Sequence, residues 1–366
     1  MAAKKQERRI MKKTKLIKSI TALVLALSSV TYLVGCSTDT TSTSESSSSD
    51  SSASTTEYKY GKIDIPGKDG ALCGAPIYIA YEKGFFAEEG FDVNLISADT
   101  ETRKIGLNNG TIPIVNGDFQ FFPSVEQGIN VSVVDGLHNG CIKFLVRPDS
   151  DIDEAADLKG KKIGVDEIGG TPHQVASVWI EKAGISADSS DGEVTFVPYS
   201  DGNLEIEALV NGDIDVAAVW DPFGSVAEQE GKGKIIFDLS TDETFAGKYC
   251  CFLYASNTVL ENNPEEVAAL LRAYRKAQDW ISKNPEEAVD IIIKGKYSAI
   301  EDRDLAVELI KSYEYPSSEE RANEDHSIYE DVKYFSTELY NIGYLTTDPT
   351  EFADKIYSDV DITLGQ

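Results

Sequence analysis

Basic residues are scarce. The 366 residues hold 34 Lys and Arg against 62 Asp and Glu, for a formal charge of −28. No basic patch survives that balance, so nucleic acid is excluded as a partner. The same acidity opposes long-range attraction of an anion, and anion capture would need local donors. Cysteine numbers five and histidine three. None falls in a tight CxxC or HxxxH spacing, so no metal and no cofactor is expected from spacing. A Gly-rich phosphate loop is missing, as is a convincing Ser/His/Asp set, which argues against the commoner catalytic plans. There is no internal repeat. An apolar run able to span a bilayer is also lacking: residues 20–34 are apolar but for Thr21, Ser28, Ser29, Thr31 and Tyr32, and about 15 residues is too short.

What is present begins with that run. Residues 1–18 carry eight Lys or Arg and one acid, Glu7. A basic segment before a short apolar one reads as a secretory signal over residues 1–35. Leu33-Val34-Gly35-Cys36 resembles a bacterial lipobox. That resemblance implies cleavage before Cys36 and diacylglycerol on its thiol, hence a lipid anchor at the outer face of the cell membrane. Met11-Lys12-Lys13 resembles a more usual start. Residues 37–56 are Ser, Thr and Asp with one Glu and one Ala. Such a stretch has nothing to bury and reads as a tether of residues 36–57 with a reach of roughly 25 Å. Without its leader the chain carries a charge of about −35.

Residues 58–366 are enough for two domains of ordinary size. Residues 91–96 alternate like a strand, and short apolar runs at 112–115, 131–134, 142–146, 162–165, 194–197, 216–219, 235–237 and 251–254 read as further strands. Helical spacing marks 76–86, 101–109, 171–184 and 204–210, then a helical tail over 264–282, 285–293, 305–313, 326–342 and 352–358. Strand–helix alternation before a helical tail predicts an α/β fold with parallel-rich sheets.

The stretch from Gly74-Ala75-Pro76 through Glu82-Lys83-Gly84-Phe85-Phe86 to Phe91-Asp92-Val93 is similar to the first strand-to-helix segment of the nitrate/sulfonate/taurine-type periplasmic binding proteins. Asp157-Leu158-Lys159-Gly160, Gly212-Asp213-Ile214-Asp215 leading to Trp220-Asp221-Pro222-Phe223, and Asn263-Pro264-Glu265-Glu266 resemble later segments of the same family in the same order. The resemblance implies a two-lobed periplasmic-binding-protein-like (type II) fold with a central cleft and two hinge crossings. Lobe I would be 58–143 plus 253–366, lobe II 144–252, with crossings near 141–147 and 249–254. It further implies a small-molecule ligand, delivered to the permease and ATPase subunits of an ABC importer, and no chemistry on the ligand.

In such a fold the ligand meets loops after the strands' carboxyl ends. Those loops offer Cys73 and Gly74; Asn116, Asp118, Phe119 and Gln120; His138; Gly170, Thr171 and His173; Trp220 and Asp221; and Cys250. The 169–174 turn is the best anion site, because two glycines and a helix start expose N–H groups. Each candidate has a second reading: Thr171 and Asp118 as plain helix caps, Trp220 as a core ring. Arg103 and Lys104 read as a solvated helix face. Cys73, Cys141, Cys250, Cys251, His138 and His173 form an inventory of soft ligands for zinc or copper, but buried free thiols are the leading reading. Tyr249-Cys250-Cys251-Phe252-Leu253 also resembles the cysteine run of the related yeast enzyme that makes the thiamine pyrimidine. That enzyme uses a lysine and a histidine in the segment matching 116–123, and here neither is present. Among ligands, the resemblance leaves sulfonate, taurine, nitrate, aromatic carboxylates and a thiamine-pyrimidine precursor open.

Overall fold

The computed structural model describes residues 58–366 apart from 69, 189 and 323–326. The signal segment, Cys36, the tether and His326 lie outside the described residues. Among the described residues ten strands form three sheets: β1 (Gly61–Pro66) with β2 (Phe91–Ile96); β3 (Ile114–Asp118), β4 (Val131–Asn139) and β10 (Tyr249–Ser256); and β5 (Ile142–Val146), β6 (Lys162–Val165), β7 (Thr195–Pro198), β8 (Val216–Trp220) and β9 (Lys234–Asp238). The sheet orders are β3-β10-β4 and β7-β6-β8-β5-β9. The chain therefore leaves the three-stranded sheet at Asn139, builds the five-stranded sheet, and returns at Tyr249.

The sheets are less parallel than the alternation suggested. The pairs β1·β2, β6·β7 and β6·β8 are parallel, but β10 runs antiparallel to both β3 and β4, and β5 antiparallel to β8 and β9. The reason is the two passages between sheets, which bring a strand back in the opposite sense. At the first passage a Cβ on Gly140 would stand 2.5 Å from the Ser240 backbone nitrogen, so only glycine lets the two connections pass this closely.

Expected helix 76–86 is two pieces, Ala75–Glu82 and Phe85–Glu88. Gly84, at φ 76°, takes the left-handed conformation that ends the first turn set and turns the chain into the second. Helix Thr100–Asn109 starts on Asp99, whose carboxylate accepts from the Thr102 N–H at 2.8 Å, and ends at Gly110. Helix Pro264–Lys283 has acids Glu265 and Glu266 in its first turn and Lys283 in its last, which suits the helix dipole. It buries Val267, Leu270, Leu271, Tyr274, Gln278 and Ile281, an i, i+3, i+4 stripe. Gln278 donates from that stripe to the carbonyls of Gly136 and Leu137, at 3.2 and 2.8 Å, and so docks the helix on β4. No helix among the described residues is long and apolar enough to cross a membrane.

Candidate ligand-binding site

A cavity of about 330 Å³ lies where the ends of several strands meet. Of the expected residues it brings together Cys73, Asn116, Asp118, Gln120, His138, Trp220 and Asp221. Cys251 rather than Cys250 reaches it. Phe223, from the loop that carries Trp220, and Arg103 also line it, as does Asp166, which had no prior expectation as a ligand contact.

Asp118 ends β3 and is 5% exposed. Its Oδ1 accepts from the Gln120 N–H at 3.0 Å and from the Thr171 hydroxyl; its own carbonyl accepts from the Tyr254 hydroxyl at 2.7 Å. Asp118 is thus a local cap, as one reading held, and also a tie to helix Thr171–Lys182 on the five-stranded sheet. Burial pushes its pKa up to about 7, against the hydrogen bonds that favour its charge. Asp166 follows β6. Its Oδ2 accepts from the Trp220 indole N–H at 3.0 Å and its Oδ1 from the Glu167 N–H at 2.8 Å, and burial raises its pKa to about 6. Trp220 is therefore a partly exposed ring held in place by a carboxylate. Asp221 is fully buried and paired with Lys143 at 3.2 Å.

Arg103 does not sit on a solvated face. Its guanidinium donates to the Ala98 carbonyl at 3.1 Å and to Asn116 at 3.4 Å, which turns it along the cavity wall. The signal was its place in the first turn after β2, above the same strand ends as Asn116. Lys104 pairs with Glu101 at 3.1 Å.

The other candidates stand back from the cavity. Phe119 is 1% exposed and stacks on Phe335 with ring centroids 4.3 Å apart. Gly74 is buried at the start of helix Ala75–Glu82. In the 169–174 turn three donors are engaged within the protein: Gly169 N–H donates to His173 Nδ1 at 2.8 Å, Gly170 N–H to the Glu167 carbonyl at 3.1 Å, and the Thr171 hydroxyl to Asp118. The carboxyl of Asp118 stands at this helix start where an external anion was expected. His173 packs on Phe196 and contacts the Tyr344 hydroxyl at 2.8 Å; burial lowers its pKa to about 4, so it is neutral. Cys250 is 1% exposed.

Comparison with known proteins follows this geometry. A Brucella abortus protein provisionally described as a binding protein is 31% identical over 143 residues, 38% of this chain and 42% of that one. The chain thus matches less than half the length of that relative. The formylaminopyrimidine-binding protein of Halalkalibacterium halodurans is 26% identical over 257 residues, 66% of this chain and 74% of that one. The 4-amino-5-hydroxymethyl-2-methylpyrimidine phosphate synthase of Aspergillus parasiticus is 28% identical over 242 residues, 59% and 66%. Among solved structures, a Candida albicans protein described as exhibiting the generic periplasmic binding protein fold superposes with a TM-score of 0.65 at 16% identity, over 84% of this chain and 98% of that one. The alkanesulfonate-binding protein SsuA of Xanthomonas axonopodis, bound to MOPS, gives 0.63 at 15% identity, over 78% and 95%. Both are likenesses of fold. Residues 74–288, more than half the chain, match the family described as NMT1/THI5 like. With a periplasmic-binding-protein fold and that match, the chain belongs to the NMT1/THI5-like family.

Proposed function

We propose that this protein is an extracytoplasmic, lipid-anchored solute-binding protein that holds a small nitrogen heterocycle, of the thiamine-pyrimidine-precursor type, and delivers it to the permease and ATPase of an ABC importer. The observation that carries the ligand class is that two carboxyl groups of raised pKa, Asp118 and Asp166, line one cavity with the Trp220 ring, whose indole N–H donates to Asp166. A carboxyl group near its pKa at neutral pH donates or accepts, and so matches an amino group beside a ring nitrogen. An aromatic face stacks on a planar ring. A sulfonate, taurine or nitrate would face the same two acids, with Arg103 opposing them. The formylaminopyrimidine-binding relative supports the same class.

Lobes at 58–143 plus 253–366 and at 144–252 would set the five-stranded sheet apart from the other two, except that these bounds cut the ends of β5 and β10. The Asp118–Thr171 bond then joins the lobes, and a ligand touching Asp118 and Asp166 at once would favour the joined state. A synthase-like enzyme is the weaker reading, since the 116–123 segment has no lysine or histidine to react.

Calorimetric titration of the full chain with an aminopyrimidine, taurine, an alkanesulfonate and nitrate tests this. The aminopyrimidine alone should bind and raise the melting temperature by mass action. Asp166→Asn and Asp118→Asn should each weaken it about tenfold or more, the worth of one charged hydrogen bond. Affinity should be greatest between about pH 6 and 7, where Asp166 is largely ionised and Asp118 largely protonated, and should fall as pH climbs above 7, where neither carboxyl group can donate to the ring nitrogen. Binding of the sulfonate or nitrate that strengthens as pH falls would overturn the ligand class.

A further inference from the structure

Beside the cavity, four side chains far apart in the sequence converge. His138 is the last residue but one of β4, Cys141 lies in the connection to β5, and Cys250 and Cys251 follow the first residue of β10. Their ligand atoms all lie within 4.8 Å of one another, and all four residues are buried. We propose that they form a closed, four-coordinate site for a thiophilic cation, zinc(II), bound by three cysteine sulfurs and one imidazole nitrogen. This proposal is independent of which solute the cavity takes.

The sulfur spacing fits. Cys250 and Cys251 Sγ are 3.8 Å apart, and Cys141 and Cys251 Sγ 3.9 Å. With zinc–sulfur bonds of about 2.3 Å, a regular tetrahedron has an edge of about 3.8 Å. Adjacent residues on a flat strand would point to opposite faces. Here the β10·β4 register shifts at Tyr249/Cys251 and again at Cys251/Phe252, and this irregularity lets both thiols converge.

His138 is the second observation. Its Nδ1 lies 2.8 Å from the Asn139 carbonyl, so Nδ1 carries the proton and Nε2 holds a lone pair. The residue is fully buried and Nε2 has no hydrogen-bond partner. A buried, unpaired acceptor is costly, and a backbone carbonyl fixing the other nitrogen is how a metal-bound imidazole is oriented. Without a metal, Nε2 has the thiols of Cys250 and Cys251 beside it, weak donors that make no hydrogen bond of ordinary geometry to it. A Cys141–Cys251 disulfide would take one of those thiols away and leave Cys250, whose Sγ lies 3.9 Å from the His138 carbonyl. Three thiols and an imidazole favour zinc over magnesium or calcium. Four protein ligands fill the tetrahedron, so the ion would be a resident of the protein and not its cargo.

The test uses the full chain with Cys36→Ser, leaving Cys73 and the three cluster cysteines as its thiols. The protein is reduced, stripped with a chelator, and titrated with cobalt(II), then zinc(II). Expected is one cobalt per chain, with thiolate-to-cobalt charge transfer and the intense visible bands of tetrahedral coordination, displaced by one zinc. Cys141→Ser and His138→Gln should each weaken zinc by about a hundredfold or more, since even loss of an outer-shell partner costs 10–100-fold. Cys73→Ser, beside Cys141 but outside the four ligands, should weaken zinc less than either. The parent titration needs no variant to fold: absence of saturable one-to-one binding there, or an octahedral cobalt spectrum, overturns the site. So does zinc affinity that survives Cys141→Ser and His138→Gln, or a site that takes copper(I) but not zinc.

Discussion

Glu205 is a carboxyl group with almost no water: it is 1% exposed and its Oε1 has no hydrogen-bond partner. Burial, reinforced by nearby Asp166, pushes its pKa up to about 9. The folded chain therefore keeps a proton that the unfolded chain releases near its ordinary pKa. Stability from this residue is greatest at low pH and is lost as pH rises from about 4.5 toward 9. Keeping the proton at pH 7 costs about 3 kcal/mol. Glu205→Gln should raise the melting temperature at pH 8 by more than at pH 5, as thermal unfolding at both values will show; equal shifts would place the cost elsewhere. Residue roles were partly legible in the sequence. Asp118 read as a helix cap and is one, because that partner lies two residues on. Its second partner, Thr171, is 53 residues away, and nothing local announces it. Asp166 stands just after β6, but no motif marks it. His138 and Cys141 are three residues apart, a half-site whose other half arrives only through β10.

Helices were legible where their ends carry chemistry. Helix Thr171–Lys182 begins where Gly170, Thr171 and Pro172 predict, and Pro264–Lys283 where Pro264 does. The short helices Phe122–Glu126 and Phe223–Gln229 and strand β1 had no period long enough to read. The packing of Pro264–Lys283 on β4 was not readable at all. It rests on Gln278 and on Arg275, whose Nε lies 2.7 Å from Oδ2 of Asp135, itself 1% exposed; Arg321 stands 3.6 Å from the same oxygen. Removing one partner of a buried pair strands the other charge. Arg275→Ala should cost about 2 kcal/mol, with Arg321 softening the loss. Urea unfolding measures it, and a change within error would mean Arg321 alone satisfies the carboxylate.

For the molecule as a whole, the family was legible because its motifs are local and ordered, whereas sheet membership depends on two passages that no short motif encodes. Two predictions belong to this scale. Under the proposed lobe arrangement, small-angle scattering should show a smaller radius of gyration at saturating aminopyrimidine, and Thr171→Val, which deletes the Asp118 tie, should enlarge the radius of the unliganded protein; radii that do not move would count against lobe closure. Cys36→Ala should leave the chain unprocessed or shed it from the membrane fraction, and equal retention and size for variant and parent would sink the lipid anchor. The order β3-β10-β4 has a consequence in time. The middle strand is the last of the three to be made, and β3 and β4 have no direct pairing to hold them until it comes. While residues 140–248 emerge, both strands keep open edges. The five-stranded sheet, complete by Asp238, can fold first, and the other closes only when residue 256 has emerged. Its assembly is a late, long-range step, slow by its nature, during which an exported chain would need its edges shielded.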